Sequence, residues 1–156
     1  MRNEFGKTMA ELVRKDKSIY VLDMDFGKVF DDLISENPNH HIPFGVTEQA
    51  TIGIASGMAL EGLKPYVYAI TPFLLERPFE QIKLDIVEQK VNVKLISYGD
   101  YPTAGPTHKA LDVEKECSIL GIDFVKPKTS LETRQKLLQY HKLNKPVFFY
   151  LRKDVK

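Results

Sequence analysis

β-rich segments and helical segments alternate along the whole chain, and this alternation restricts the fold more than any other feature. Apolar residues at helical spacing over 5–15 are followed by a β-rich run at 18–24, and similar pairs recur up to VFFYL at 147–151. A continuous apolar run such as VFFYL is typical of a strand buried on both faces. The repeated units predict a single α/β domain over residues 1–156, three layers thick, with a mostly parallel β-sheet flanked by helices on both faces.

Turn residues and periodicity place the elements. Strands are expected at 18–24, 42–46, 66–70, 91–97, 123–125 and 147–151. Helices are expected at 5–15, 29–35, 48–60 with Thr47 as N-cap, 73–89, 107–120 ended by Gly121, and 131–141. Residues 98–106 are loop-like in composition.

Composition restricts the partners. The formal net charge is only +1, and the basic residues are scattered among acidic ones, which gives no electrostatic case for nucleic acid. No apolar run approaches the roughly 18 residues of a membrane span, and residues 1–17 lack the apolar core of a secretory signal. We therefore expect a soluble, cytoplasmic protein that binds neither nucleic acid nor a membrane.

The cysteine and histidine content gives little sign of a metal site. Cys117 is the single cysteine, which excludes an internal disulfide, and we expect it to fill space on a buried helix face. The adjacent residues His40 and His41 have no companion ligands at metal spacing, so we interpret them as a surface pair.

Glu48 follows a predicted strand and lies in the first turn of a helix rich in small residues. Junctions of this kind, at the carboxyl ends of parallel strands, are where open α/β sheets bind ligands. A first-turn carboxylate also interacts favourably with the positive end of the helix dipole, so the spacing alone leaves a structural and a functional role open. The small side chains would allow another backbone to approach this helix closely.

Three segments, in order, resemble the pyrimidine-binding domain of transketolase-like thiamine diphosphate enzymes. They are GVTEQ at 45–49 with GLKP at 62–65, FLLERPFEQI at 73–82, and GPTHKAL at 105–111. Three ordered motifs are more specific than one, and the resemblance covers nearly the whole chain. It implies the thiamine diphosphate-binding fold and an enzyme that uses this cofactor.

The resemblance also implies roles for individual side chains near the cofactor. Glu48 matches the glutamate that hydrogen-bonds the pyrimidine ring nitrogen and so activates the cofactor, and His108 matches a histidine that faces the reacting substrate. Phe73 matches the residue against the pyrimidine ring, and Phe79, two helical turns along, would line the same pocket. Asp25 resembles an aspartate near the cofactor. Each could instead be a core, turn or surface residue.

Substrate residues follow from the same resemblance. Tyr98 lies near the place of a substrate-facing histidine, and Arg2 and Arg152 lie near positions where transketolases hold a substrate phosphate. Lys109 and Ala104 replace a glutamine and an acidic residue in the substrate region. The resemblance therefore does not specify the usual ketose phosphates.

One family motif is missing from the sequence. Gly-Asp-Gly followed by Asn, which holds the diphosphate and Mg2+ in the family, has no counterpart, because Gly99-Asp100-Tyr101 lacks the second half of that motif. The resemblance therefore implies a diphosphate-binding partner subunit that carries this motif and holds the Mg2+, in a heterotetramer.

The expected function is that of the pyrimidine-binding subunit of a two-chain transketolase-like enzyme. Such an enzyme transfers a two-carbon ketol or related acyl unit between small carbonyl or sugar compounds. The alternatives are a subunit of a split 2-oxo acid decarboxylase or dehydrogenase, and a non-catalytic assembly module. The GPTH segment favours the transketolase-like enzyme over the decarboxylase.

Overall fold

The computed structural model of the chain describes residues 1–24, 28–99 and 101–152. Six strands form one sheet in the order β2-β1-β3-β4-β6-β5, and every neighbouring pair is parallel. The strands are β1 Ile19–Asp23, β2 His41–Pro43, β3 Lys64–Ile70, β4 Lys94–Tyr98, β5 Asp123–Val125 and β6 Val147–Leu151. The predicted parallel α/β class is confirmed.

Helices cover both faces of the sheet. They are α1 Arg2–Lys15, α2 Asp31–Glu36, α3 Glu48–Leu60, α4 Thr71–Leu75, α5 Phe79–Gln81 continued by a π-helix Ile82–Val87, α6 Val113–Leu120 and α7 Ser130–His141. Short 3-10 turns occur at Lys28–Phe30, Pro38–His40, Pro102–Ala104 and Pro106–His108. Among the helices of the described residues, none is both long and apolar enough to cross a bilayer.

Alternate residues of the strands pack into two separate apolar cores. The side chains of Tyr66 and Tyr68 lie in the core beneath α1, α2 and α7, whereas Val67 and Ala69 lie in the core beneath α3 to α6. In β6, Phe148 and Phe149 divide between the same two cores, as the VFFYL pattern predicted. The second core also contains the free thiol of Cys117, which is buried as expected.

The prediction of one continuous helix over 73–89 is wrong. Helix α4 ends at Leu75 and α5 begins at Phe79, with Pro78 as the N-cap of the second helix. Proline has no backbone N–H and its ring clashes with the preceding turn, so an α-helix does not continue through this position. Phe73 and Phe79 therefore lie on different helices rather than two turns apart on one.

The helix predicted over 107–120 begins only at Val113. The side chain of Asp112 accepts a hydrogen bond from the Lys115 amide at 3.2 Å and caps the helix there. His108 consequently lies in a 3-10 turn rather than in a first helical turn. Gly121 ends α6 in the left-handed conformation, with φ 71°, as predicted.

His40 and His41 are not the surface pair expected from the sequence. His41 Nε2 lies 2.9 Å from Asp23 Oδ2, and the His41 side chain is only 11% exposed. The Nδ1 atom of His40 lies 2.8 Å from the Ile19 carbonyl, and its ring stacks on Tyr20 at a centroid distance of 4.8 Å. Both imidazoles therefore hold the short strand β2 against β1.

Asp16 connects α1, β1 and β3 at the amino-terminal edge of the sheet. Its carboxylate accepts hydrogen bonds from the Ser18 amide at 2.9 Å and from Lys64 Nζ at 2.6 Å. Burial alone would raise the pKa of this carboxyl, but the hydrogen bonds from Lys64 and Ser18 hold the pKa well below its usual range.

We predict that Asp16→Asn lowers the free energy of unfolding by about 1 kcal/mol near neutral pH. A pKa that is lowered in the folded state stabilises the fold above the unfolded pKa of about 3.9, and this stabilisation is lost as the pH falls through the folded value. The difference between parent and variant should therefore shrink below about pH 4. Urea unfolding of the parent and the variant across this pH range measures the difference in the free energy of unfolding, with exposed Glu88→Gln as the control. A difference that is independent of pH would contradict the assignment.

Candidate functional site

Glu48 begins α3 at the carboxyl edge of the sheet, just after β2. Gly45 makes the intervening turn with φ 64°, a conformation that side chains with a Cβ rarely adopt. Thr47 is the N-cap as predicted, but its hydroxyl donates to the Phe44 carbonyl at 3.0 Å and pairs with Thr51 instead of capping an amide. The turn directs Glu48 inward, where only 7% of the residue is exposed.

Arg77 contacts two of the residues that the motifs marked separately. Its Nη1 donates to Glu48 Oε1 at 2.6 Å, and its Cζ lies 3.6 Å from the centroid of the Phe73 ring. The guanidinium thus touches the carboxylate and the aromatic ring at once. This arginine belongs to the second motif, but the sequence analysis assigns it no role. Its position four residues after Phe73 was the available signal.

His108 joins the same group of side chains from the third motif. Its ring meets Phe73 in an edge contact, with centroids 4.8 Å apart and planes at 67°. Glu76 fixes the following loop, because its Oε1 accepts a hydrogen bond from the Leu111 amide at 2.9 Å. Glu48 and His108 are thus linked through Arg77 and Phe73, although the four residues lie in three separate segments of the chain.

The other two predicted cofactor residues do not belong to the group of contacting side chains formed by Glu48, Arg77, Phe73 and His108 in the described part of the chain. Phe79 is half-buried and packs against the apolar core beneath α3 to α6, on a different helix from Phe73. Its role in the pocket stays a prediction. Asp25 lies outside the described residues, and its role near the cofactor also stays a prediction.

Two of the three predicted substrate residues come together. The Arg2 guanidinium lies 3.8 Å above the centroid of the Tyr98 ring, and its Nε donates to the Tyr68 hydroxyl at 2.8 Å. Tyr98 is only 2% exposed, so its ring supports Arg2 and is itself covered. Arg152 is exposed and follows Leu151, the β6 residue that pairs with Tyr98. Contact of these residues with a substrate stays a prediction.

Glu116 on α6 adds an unfavourable charge near the His108 loop. Burial, followed by the nearby carboxylates of Glu76 and Asp112, raises the pKa of Glu116 to about 6. Among the described residues, no group hydrogen-bonds its buried Oε2. The folded protein therefore disfavours the ionised form of Glu116.

A protein-family model described as "Transketolase, pyrimidine binding domain" matches residues 1–155. The chain belongs to this family. The match covers all three motifs and the segments that carry Glu48, Arg77, Phe73 and His108.

Relatives of the pyrimidine-binding domain include longer proteins. A protein of Phocaeicola vulgatus named as a subunit of apulose-4-phosphate transketolase is 32% identical over 140 residues, which are 86% of this chain and 45% of that protein. A 1-deoxy-D-xylulose-5-phosphate synthase of Synechococcus sp. (strain JA-3-3Ab) is 32% identical over 146 residues, which are 88% of this chain and 22% of the synthase. The chain therefore spans less than half the length of either relative.

Solved structures agree on the fold. The structure titled "Split gene transketolase, inactive beta4 tetramer" superposes with a TM-score of 0.88 at 26% identity, covering 98% of this chain and 51% of that one. Transketolase from Campylobacter jejuni gives a TM-score of 0.83 at 19% identity, covering 98% of this chain and 25% of that one. The expected thiamine diphosphate-binding fold is confirmed.

We predict that Glu116→Gln stabilises the domain by at most about 1 kcal/mol at pH 8. A pKa raised in the folded state gives stability that is present below the unfolded pKa, whose ordinary value is 4.5, and lost as the pH rises through about 6. The gain from the neutral amide should therefore vanish at pH 4.5. Urea unfolding of the parent and the variant at both pH values measures the gain in the free energy of unfolding. Glu114→Gln, exposed on the same helix, is the control. An equal gain at both pH values would refute the explanation.

Proposed function

We propose that this chain acts as the pyrimidine-binding subunit of a two-chain, thiamine diphosphate-dependent transketolase-like enzyme. Such an enzyme would transfer a two-carbon ketol or related acyl unit between small carbonyl or sugar compounds. The observation that carries the proposal is the contact series Glu48, Arg77, Phe73 and His108 at the carboxyl edge of a parallel sheet. This edge is the usual ligand-binding edge of such sheets.

The side chains of the series fit the aminopyrimidine half of the cofactor. Such a ring needs a carboxyl group at its ring nitrogen and a flat apolar partner, and Glu48 and Phe73 are connected through a single guanidinium. When bound, thiamine diphosphate supplies a carbon nucleophile for a substrate carbonyl. Glu48 would hold the proton at the ring nitrogen, and Phe73 would fix the plane of the ring.

His108 and the arginines are assigned to the substrate. His108 contacts the edge of the Phe73 ring, and with Phe73 against the pyrimidine its imidazole would face the reacting substrate, a role that suits a histidine. Arg2, fixed by Tyr68 and Tyr98, and the exposed Arg152 would bind an anionic group of the substrate such as a phosphate. The GPTH segment that contains His108 supports the transketolase-like reaction over a 2-oxo acid decarboxylase.

The diphosphate and Mg2+ are assigned to a partner subunit that carries Gly-Asp-Gly and Asn, in a heterotetramer. One relative is named as a transketolase subunit, and one solved structure is titled as a split gene transketolase. Both names describe enzymes divided between chains, which supports the same division here.

One face of α3 suits an interface with this partner. The α3 outer face is exposed and consists of Ala50, Gly53, Ile54, Gly57 and Leu60. A Cβ at Gly57 would meet no atom of the described residues within 4 Å, so packing among these residues does not require glycine there. Glycine within a helix costs about 1 kcal/mol relative to alanine. Close approach by a helix of another subunit would account for retaining it.

We predict that Glu48→Gln lowers turnover at least about 100-fold in the complex with the diphosphate-binding subunit, because an amide cannot share a proton with the ring nitrogen. Co-purification with that subunit, thiamine diphosphate titration and steady-state kinetics measure the effect. Glu61→Gln, the same change at the exposed carboxyl end of α3, is the matched control and should keep full turnover. Turnover by Glu48→Gln as fast as that of the parent would exclude the proton role. Failure to form any complex would favour the assembly module.

We predict opposite effects of Gly57→Leu on the isolated chain and on the complex. Leucine should stabilise the isolated helix by about 0.8 kcal/mol, because glycine is the weaker helix former. It should weaken association with the partner at least about tenfold by blocking backbone approach. Thermal unfolding and analytical ultracentrifugation measure the two effects. Ser118→Leu, exposed on α6, is the control. Unchanged association would exclude the α3 outer face from the interface.

A further inference from the structure

Arg77 contacts the two groups to which the proposed function assigns the aminopyrimidine. Its Nη1 is 2.6 Å from Glu48 Oε1, and its Cζ is 3.6 Å from the centroid of the Phe73 ring. At 3.6 Å the guanidinium lies in direct contact with the ring. A pyrimidine that approached Glu48 Oε1 from the same side and stacked on the same face of the Phe73 ring would overlap with the guanidinium.

The guanidinium and an aminopyrimidine have similar recognition chemistry. Both are flat and delocalised, and both pack against an aromatic ring. A guanidinium presents N–H donors to a carboxylate, and so does an aminopyrimidine that is protonated at its ring nitrogen. Arg77 thus satisfies Glu48 and covers Phe73 with one planar group, as the ring of the cofactor would.

The position of Arg77 allows it to leave. It lies in the turn between α4 and α5, outside both helices, and its side chain is 38% exposed. The guanidinium can therefore move into solvent without unpacking either apolar core. The ion pair is covered on the Glu48 side, whose side chain is 9% exposed, and open on the Arg77 side, so a ligand that replaces both contacts can compete with the guanidinium.

We propose that Arg77 occupies the pyrimidine position of this domain and is displaced when the cofactor binds. The proposal rests on the proposed function, because it takes Glu48 and Phe73 as the pyrimidine-binding groups. Arg77 is then a positioning residue that holds the Glu48 carboxylate and shields the Phe73 ring. Arg77 also selects for ligands that can replace both of its contacts. A ligand with only a flat ring, or with only a hydrogen-bond donor, would replace one of the two contacts that it displaces.

The test uses the full chain and 4-amino-5-hydroxymethyl-2-methylpyrimidine, the pyrimidine half of thiamine, as the probe in calorimetric titrations. Arg77→Met keeps the length of the side chain but removes the planar donor group, and it should bind the probe about tenfold more tightly than the parent. Arg77→Lys keeps the charge but lacks the planar group, and its affinity for the probe should lie between those of the parent and Arg77→Met. Lys83→Met, exposed on the π-helix, is the matched control and should bind as the parent does.

A second readout follows Arg77 itself. In ¹⁵N-labelled parent protein, the Nε–Hε signal of Arg77, identified by its absence from Arg77→Met, should move towards the position of a solvated arginine as the probe is added. The double variants Arg77→Met with Glu48→Gln and Arg77→Met with Phe73→Ala should lose the gain in affinity. Thermal unfolding of each variant establishes that it is folded.

The outcomes separate this inference from the function on which it rests. If Arg77→Met binds the probe no more tightly than the parent, or binds none, displacement of Arg77 is refuted. The proposed function is then judged separately, by the effect of Glu48→Gln in the two-chain complex. An Arg77 signal that stays in place while the parent binds the probe also refutes displacement.

Discussion

The parallel pairing of the strands is the constraint on which the rest of the structure depends. Because every neighbouring pair is parallel, the carboxyl ends of the strands share one edge. The segments that follow β2, β3 and β4 therefore begin at this edge, and they carry Glu48, Phe73 and His108 respectively. A single antiparallel strand among these three would send one residue to the opposite end of the molecule.

The Glu48–Arg77 ion pair sets the chemical problem for this site. Cofactor activation in the resembled family needs a carboxyl group that shares a proton with a ring nitrogen, which burial assists. Arg77 Nη1 already donates to Glu48 Oε1 at 2.6 Å. The protein covers one side of Glu48, of which only 7% is exposed. On the other side lies the Arg77 guanidinium, whose side chain is 38% exposed, and under the displacement proposed above it would move before a ring nitrogen took its place.

How well a feature can be predicted from the sequence depends on how far apart in the chain the interacting residues lie. The alternation of elements and the buried character of β6 are local patterns, and the sequence predicted both correctly. The break at Pro78 and the late start of α6 after Asp112 are also local, but helical periodicity alone does not predict them, because it carries no information on the proline stop or the aspartate cap. In contrast, the Asp23–His41 pair and the Glu48–Arg77 pair join residues far apart in the chain, and only the assembled sheet brings them together.

Helix α3 serves the site and the proposed interface with different faces. Glu48, Thr51, Ile52 and Ala55 face inward, whereas the α3 outer face carries Gly57 and its exposed neighbours. These two sets diverge because residues three and four apart share a side of the helix. Arg77 meets α3 through the inward Glu48, so its departure would leave the α3 outer face unchanged. Under the proposed function, association with a partner and entry of the pyrimidine would thus be separable events on one helix, and such a subunit could assemble before or after its site is filled.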